Sequence, residues 1–426
     1  MTDTDPSNAQ IGSPKAKVSW PRIWDQSFHP AKDDEARAFI NLAAARCLKM
    51  QAAVSAAATQ PAIRAALRLL RRYLASNTAK LNAFARAYER HTGPLRDAKP
   101  GELCEIVEVA QALNVWKSTE EKSIAYPKLK RCGQDYRYIH KHQIFLYAQE
   151  LMMADAARAI CKFLPTQFMT NGGQPAYTKW LRQNLPIVKL VITVDIPRCF
   201  DHVDRSSVVD HLLLPERAVR RVLFDPMDHA TYLTHGLIGF VPMSAPIVKV
   251  SAPKRGIPQG SALSPIASEV VVGEVLKAVL AHNDVQAGCQ GDNLIFLLED
   301  AKNKESVIAS LTSSIAKHFG SDVASALTYR IECQSPSKGF WFCQRFYSLT
   351  GSKLKMAVPS NFVDKFAIKT MSRIEEAKNL KNYKKLESIR RSIKGWMGQN
   401  IKIKDVVDEA AELLALLPSL KNSPSI

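Results

Sequence analysis

The chain has 426 residues, 46% of them hydrophobic, which is enough to bury more than one core and excludes a wholly disordered protein. Lys and Arg number 58 against 40 Asp and Glu, and the resulting net charge of +18 points to a polyanionic partner. No uninterrupted apolar stretch of roughly 18 residues occurs, so no membrane-spanning helix and no membrane partner is expected. The opening Met-Thr-Asp-Thr-Asp-Pro lacks the basic and apolar regions of a secretory signal, and a cytoplasmic protein is expected.

Residues 1–34 carry Asp, Ser, Pro and Lys without periodicity and read as a tail. Residues 35–120 read as a helical module: the stretch from Asp34 to His91 is rich in Ala, Leu and Arg and almost free of Gly and Pro, and a further helix is expected over Glu102–Trp116. Within it, Ile63, Leu67, Leu70 and Leu74 recur at helical spacing, with Arg64, Arg68, Arg71 and Arg72 on the other side. Those arginines read equally well as a solvated face or as contacts for a polyanion.

Residues 121–347 alternate β-rich and helical patterns, as α/β or α+β proteins do. Ala125–Ile139 reads as two strands joined by a basic turn, with Lys128, Lys130, Arg131 and Arg137 in or beside it. A glycine turn follows at Thr170-Asn-Gly-Gly173, and Val191-Ile-Thr-Val-Asp195 is a β-branched run that ends in a carboxylate. Asp201, six residues on, reads as the N-cap of a helix beginning near Val203. Arg255-Gly-Ile-Pro-Gln-Gly-Ser-Ala-Leu-Ser-Pro265 is a loop of small residues ahead of an apolar helix over Ile266–Leu280. Gly288–Leu298 reads as a hairpin with Asp292 at its turn. Residues 348–426 contain a short hairpin over Ser348–Pro359 and then basic helices from Asn361 to Leu417, Lys394 among their cations. The eight cysteines have no CxxC spacing and are expected as reduced, largely buried thiols.

An Asp at the end of a strand is more often a cap or a turn former than a catalytic group. Two such carboxylates can nevertheless share divalent metals that polarise an attacking and a leaving oxygen. In this order, Asp195-Ile-Pro-Arg-Cys-Phe200-Asp201, the 255–265 loop and Gln290-Gly-Asp292-Asn293 resemble the palm of a reverse transcriptase, most closely the bacterial antiphage-defence, abortive-infection and retron-type enzymes. The resemblance covers roughly residues 121–400 and implies an α+β right-hand polymerase fold of fingers, palm with an antiparallel sheet and helical thumb, preceded here by an extra all-α module.

It also implies RNA-directed DNA synthesis from dNTPs on a structured noncoding RNA template, giving a DNA product, with two Mg2+ ions or Mn2+ in their place. Asp195, Asp292 and Asn293 would be catalytic, and Asp195, Ile196 and Asp292 would hold metal. Lys128, Arg137, Phe200, Gln259 and Gly260 would bind the nucleotide, while Ser261, Gly173 and Lys394 would contact template or primer. Phe200 stands where an aromatic ring crowds a 2'-hydroxyl, and Lys338 stands near the expected leaving group. A homo-oligomer or a partner protein is compatible with this reading. Asn293 departs from the family's second Asp, removing one negative charge and leaving a neutral amide donor. Retained but slower or Mn2+-leaning synthesis is expected, and the alternatives are an RNA-dependent RNA polymerase and a catalytically weak RNA-binding scaffold or maturase.

Overall fold

In a computed structural model of the chain, the residues described are 29–59, 63–121, 123–129, 136–233, 247–248, 255–379, 383–399 and 404–417. Helices and three small sheets make it an α+β protein, divided into two compact units. One comprises Met1–Glu121 with His142–Ile160, the other Lys122–Lys141 with Cys161–Ile426.

The first unit is all helical: α1 (Asp33–Ala58), α2 (Ile63–Ala75), α3 (Asn77–Thr92), α4 (Glu102–Ala110) and α5 (Ile144–Ile160). In α1, Ala36, Ile40, Ala43, Cys47, Met50 and Val54 are buried at alternating spacings of four and three, which draws one stripe down the helix. Ser76 caps α3, its hydroxyl accepting from Ala79 N (3.1 Å). α3 packs on α5, where Arg86 Nη1 pairs with Asp155 Oδ2 at 2.5 Å.

Three expectations change here. The buried side of α2 is Ala66, Leu70, Tyr73 and Leu74, and Ile63 is 37% exposed. Burying the Tyr73 ring, whose hydroxyl accepts from Gln51 Nε2 (3.3 Å), turns the helix away from its first residue. α4 stops at Ala110 because the chain turns beyond it, with Asn114 Oδ1 accepting from Trp116 N (2.9 Å). α5, read from sequence with residues 121–347, belongs to the N-terminal helices.

The second unit carries all the strands. β1 (Ile124–Leu129) and β2 (Tyr136–Lys141) form the expected hairpin, with Lys128 opposite Arg137. Lys130 and Arg131 lie outside the described residues. After α6 (Gly173–Asn184), β3 (Leu190–Asp195) leads through the short α7 (Cys199–His202), α8 (Arg205–His211), α9 (Glu216–Val219) and α10 (Asp225–Asp228) to β4 (Thr231–Leu233) and β5 (Ile247–Val248). The first sheet has the order β2-β1-β4-β5, with β4 parallel to β1.

α11 (Ser264–His282) is apolar on all sides and therefore buried along most of its length. It precedes the hairpin β6 (Gln286–Gln290) and β7 (Asn293–Leu298), then α12 (Lys304–Phe319), α13 (Ser321–Ala326) and β8 (Ile331–Gln334). These strands make an antiparallel sheet in the order β6-β7-β3-β8. β3 and β7 lie inside it, which is why Val191, Ile192, Val194 and Leu294–Leu298 read as continuous apolar runs: both faces are covered. On one face Val191, Ile295 and Leu297 join Phe168, Tyr177, Phe340, Phe342 and Tyr347 in an aromatic core.

That core is shared with a third sheet of β9 (Phe340–Phe342), β10 (Arg345–Thr350) and β11 (Lys353–Ala357), which contains the expected short hairpin. The last helices, α14 (Ser360–Asn379), α15 (Tyr383–Gln399) and α16 (Lys404–Ala415), enclose a core of their own around Ile374, Leu386, Ile389, Ile393 and Leu413. No helix among the described residues is long and apolar enough to cross a membrane. Among the same residues seven cysteines are free, and Cys47, Cys161, Cys199 and Cys289 are buried.

Candidate active site

The antiparallel pairing of β3 with β7 sets Asp195 opposite Asn293, the residue after Asp292. Ile196 N donates to Asp292 O at 3.0 Å, tying the two strand ends together. Asp292 is the second residue of a two-residue hairpin turn whose first, Gly291, has φ +64, the position a type II' turn reserves for glycine. Two carboxylates far apart in the chain thus reach one sheet end from adjacent strands.

They open onto a cleft of about 920 Å3. Of the residues singled out from sequence, Arg137, Asp195, Ile196, Phe200, Gln259, Gly260, Ser261 and Asp292 line it. The 255–265 loop is fastened at both sides. Ile257 N donates to Phe200 O (2.8 Å) in the segment after β3, and His140 N on β2 donates to Gln259 O (2.6 Å). Gln259 Nε2 also donates to Asp201 Oδ1 at 3.2 Å. Asp201 is therefore not the cap expected of it: it lies inside α7, and Asp204 caps α8 by accepting from Ser207 N (3.0 Å). The cap falls at Asp204, three residues later than the sequence pattern implied.

Partial burial and the neighbouring Asp292 charge push the Asp195 carboxyl up to about 6, with Arg330 acting in the opposite direction. The residue opens to the cleft, but protein packed behind it still displaces water. Asp292 is also raised by burial, offset by its own backbone, by an Asn293 hydrogen bond and by Arg137. Two acidic groups that oppose one another's ionisation in a partly dry site favour a cation between them. Their oxygens, with the Ile196 backbone on the same wall, are hard donors of the type Mg2+ takes while keeping waters and substrate phosphates in its remaining positions. Among the described residues no group of three or more His, Cys, Asp or Glu is arranged to hold a metal.

Five residues singled out from sequence fall elsewhere. Asn293 lines a smaller cavity of about 160 Å3, and its Nδ2 donates to Asp292 Oδ1 (2.9 Å), so it orients the neighbouring carboxylate. Lys128 is exposed on β1 and is not among the residues lining the cleft. Gly173 starts α6, its N–H donating to Phe168 O (2.7 Å), and Lys394 is exposed on α15. Lys338 sits exposed in a turn, away from the cleft lining.

The cleft instead contains cations and an acid that the sequence did not single out: Arg198, His202, Asp322 and Arg330. His202 Nδ1 lies 3.2 Å from Asp322 Oδ2, and Arg255 Nη1 lies 3.5 Å from Asp322 Oδ1. Arg198 and His202 sit within the stretch that holds Asp195, where proximity was the available signal. Asp322 and Arg330 carried no motif; they reach the cleft because β8 is added beside β3.

Behind the Asp292 turn lies Glu269 of α11, fully buried, with the Gly291 N–H directed at its carboxyl. Burial pushes Glu269 from 4.5 up to about 8, so the folded chain holds a proton there that the unfolded chain releases. The stabilisation is complete below about 4.5 and is lost as pH rises through about 8, amounting to on the order of 3 kcal/mol by neutral pH. The unfolding midpoint of the full chain is expected to fall between about pH 5 and about pH 8, and Glu269→Gln should flatten that decline; parallel declines in the two proteins would contradict it.

No protein-family model matches the chain, and a search of curated proteins finds no match either.

Proposed function

We propose that this chain extends a nucleic-acid 3'-hydroxyl with deoxynucleotides on an RNA template, as a nucleotidyltransferase with a right-hand polymerase architecture. One observation carries the reading: Asp195 and Asp292 stand on adjacent strand ends, open to a cleft they share with Phe200, Arg137 and the Gln259-Gly260-Ser261 segment. Bound Mg2+, or Mn2+, held by Asp195, Asp292 and the Ile196 carbonyl, would polarise the attacking and leaving oxygens.

The chain's own groups do the rest. Arg137 and Arg330 face the carboxylate pair and offer charge to a triphosphate and its leaving pyrophosphate. Arg330 would stabilise the leaving group electrostatically, its guanidinium offering a planar fork of donors to phosphate oxygens. Phe200 presents an aromatic surface to the cleft that a deoxyribose can sit against and a 2'-hydroxyl would crowd. The backbone of Gln259 and Gly260, fixed to β2 where only a glycine can come so close to His140 O, would support the nascent base pair.

The test is incorporation by the purified full chain on a primed RNA template, with dNTPs or NTPs, in Mg2+ and then Mn2+. dNTPs are expected to be preferred, and Phe200→Ala should raise NTP use relative to dNTP use by about 10- to 100-fold, the effect of roughly 1–3 kcal/mol of lost exclusion. Preference for NTPs in the unsubstituted chain, or discrimination unchanged by Phe200→Ala, would favour an RNA polymerase. A second reading, a nucleic-acid scaffold without synthesis, draws on the pair of carboxylates at the cleft and on Asn293 turned toward Asp292. Absence of product with either metal would favour it.

A further inference from the structure

The four arginines of α2 are left without a role by the cleft. All four are exposed, and they occupy the side of the helix opposite buried Ala66, Leu70, Tyr73 and Leu74. At about 100° per residue, Arg64, Arg68, Arg71 and Arg72 fall within a sector of roughly 100°, and at about 1.5 Å per residue the row runs for about 12 Å.

An ordinary solvated helix face intersperses acids with such cations. Three exposed helical arginines elsewhere do so: Arg158 pairs with Asp155, Arg220 with Glu216 and Arg221 with Asp225. α2 contains no acid, and no ion pair of the described residues engages any of its four arginines. Like charges three and four residues apart repel, so the row is held together against its own electrostatics by the buried side. The cations are all Arg and none is Lys, the choice that suits planar, two-pronged contact with phosphate.

From this arrangement we infer that the exposed face of α2 binds the sugar-phosphate backbone of RNA, a second binding surface in the helical unit. A membrane surface is the weaker partner for it. An interfacial helix inserts its apolar side, and the apolar side of α2 is already enclosed in the unit's core. The inference rests on the proposed function only for the choice of RNA as the polyanion.

The test is binding of the full chain to a fluorescent RNA hairpin by anisotropy, repeated across a salt series. Each phosphate contact contributes about 0.7–0.9 to the slope of log K against log salt. Changing Arg64, Arg68, Arg71 and Arg72 together to Gln should reduce that slope by about 3 and weaken binding by about 10- to 100-fold near 0.15 M salt. The corresponding Arg→Lys quadruple variant should keep most of the slope; with the side chains exposed, it should unfold at the parent temperature and the Gln variant, relieved of like-charge repulsion, at that temperature or slightly above it.

An unchanged slope in the Gln variant, equal loss in the Lys variant, or loss confined to a DNA hairpin or to phosphatidylserine vesicles would each overturn the inference. The readout is binding, so a chain that binds RNA through these arginines and incorporates nothing sinks the proposed synthesis alone. Synthesis accompanied by an unchanged slope sinks this site alone.

Discussion

Asp195→Asn and Asp292→Asn are each expected to lower nucleotide incorporation by about 1000-fold or more while leaving the fold intact. In the proposed site, removing either carboxylate would deprive a divalent cation of one of two acidic ligands, and the charge stabilisation that a metal supplies in phosphoryl transfer is worth several kcal/mol. Stability should move the other way. Asp195 titrates near 6 in the folded chain against 3.8 for a free side chain, so it favours folding at low pH and ceases to do so as pH rises through about 6. At neutral pH without divalent metal, the Asn variant should therefore unfold at the parent temperature or above it. A lowered midpoint in calorimetry would assign the Asp195 carboxylate a structural part and remove the basis for its catalytic one.

Gly260→Ala is expected to be among the most damaging single changes in the second unit. Gly260 has φ +112, and a Cβ built there would sit 2.3 Å from His140 O, a backbone atom of β2 that cannot swing aside. Backbone strain and overpacking together should cost on the order of 3 kcal/mol or more. The same contact would separate the loop from β2 at the His140–Gln259 hydrogen bond, so incorporation should fall along with stability. Gly93→Ala supplies the control: φ there is +120, but nothing lies within 4 Å of the added methyl, leaving strain alone. Urea unfolding should separate the two variants by roughly 2 kcal/mol, and equal losses would mean that the loop is not pinned as described.

The fold and the site were legible in the sequence to different degrees, for physical reasons. β3 and β7 announced themselves because interior strands covered on both faces must be apolar throughout, and the Asp at the end of one and at the turn before the other were the visible interruptions. The 255–265 loop was legible through its glycines, since only they tolerate the approach of His140 and Phe200–Asp201 backbone. Composition gave a helical stretch where α1 to α3 form but could not say that α5 packs with them, because an apolar stripe does not name its partner.

Asn293 read as a catalytic residue, a neutral amide donor at the place of the family's second Asp. A side chain at a strand's first residue can instead fold onto its neighbour, as its 2.9 Å hydrogen bond does. Lys128 and Arg137 were indistinguishable as two basic residues of one hairpin, although in the folded chain only Arg137 lines the cleft. Asp322 and Arg330 were out of reach of any local pattern. Their place depends on β8 pairing with β3 across a long connection, and Lys338, in the turn after β8, is not among the residues lining the cleft.

The central claim is that Asp195 and Asp292 bind the same divalent cation, and Mn2+ titration of the purified chain, followed by electron paramagnetic resonance with a dNTP present, measures this directly. The unsubstituted chain should remove free Mn2+ signal at a site whose affinity drops at least about tenfold in both Asp195→Asn and Asp292→Asn, the loss of one charged ligand. Mn2+ binding that survives both substitutions unchanged would contradict a shared metal site.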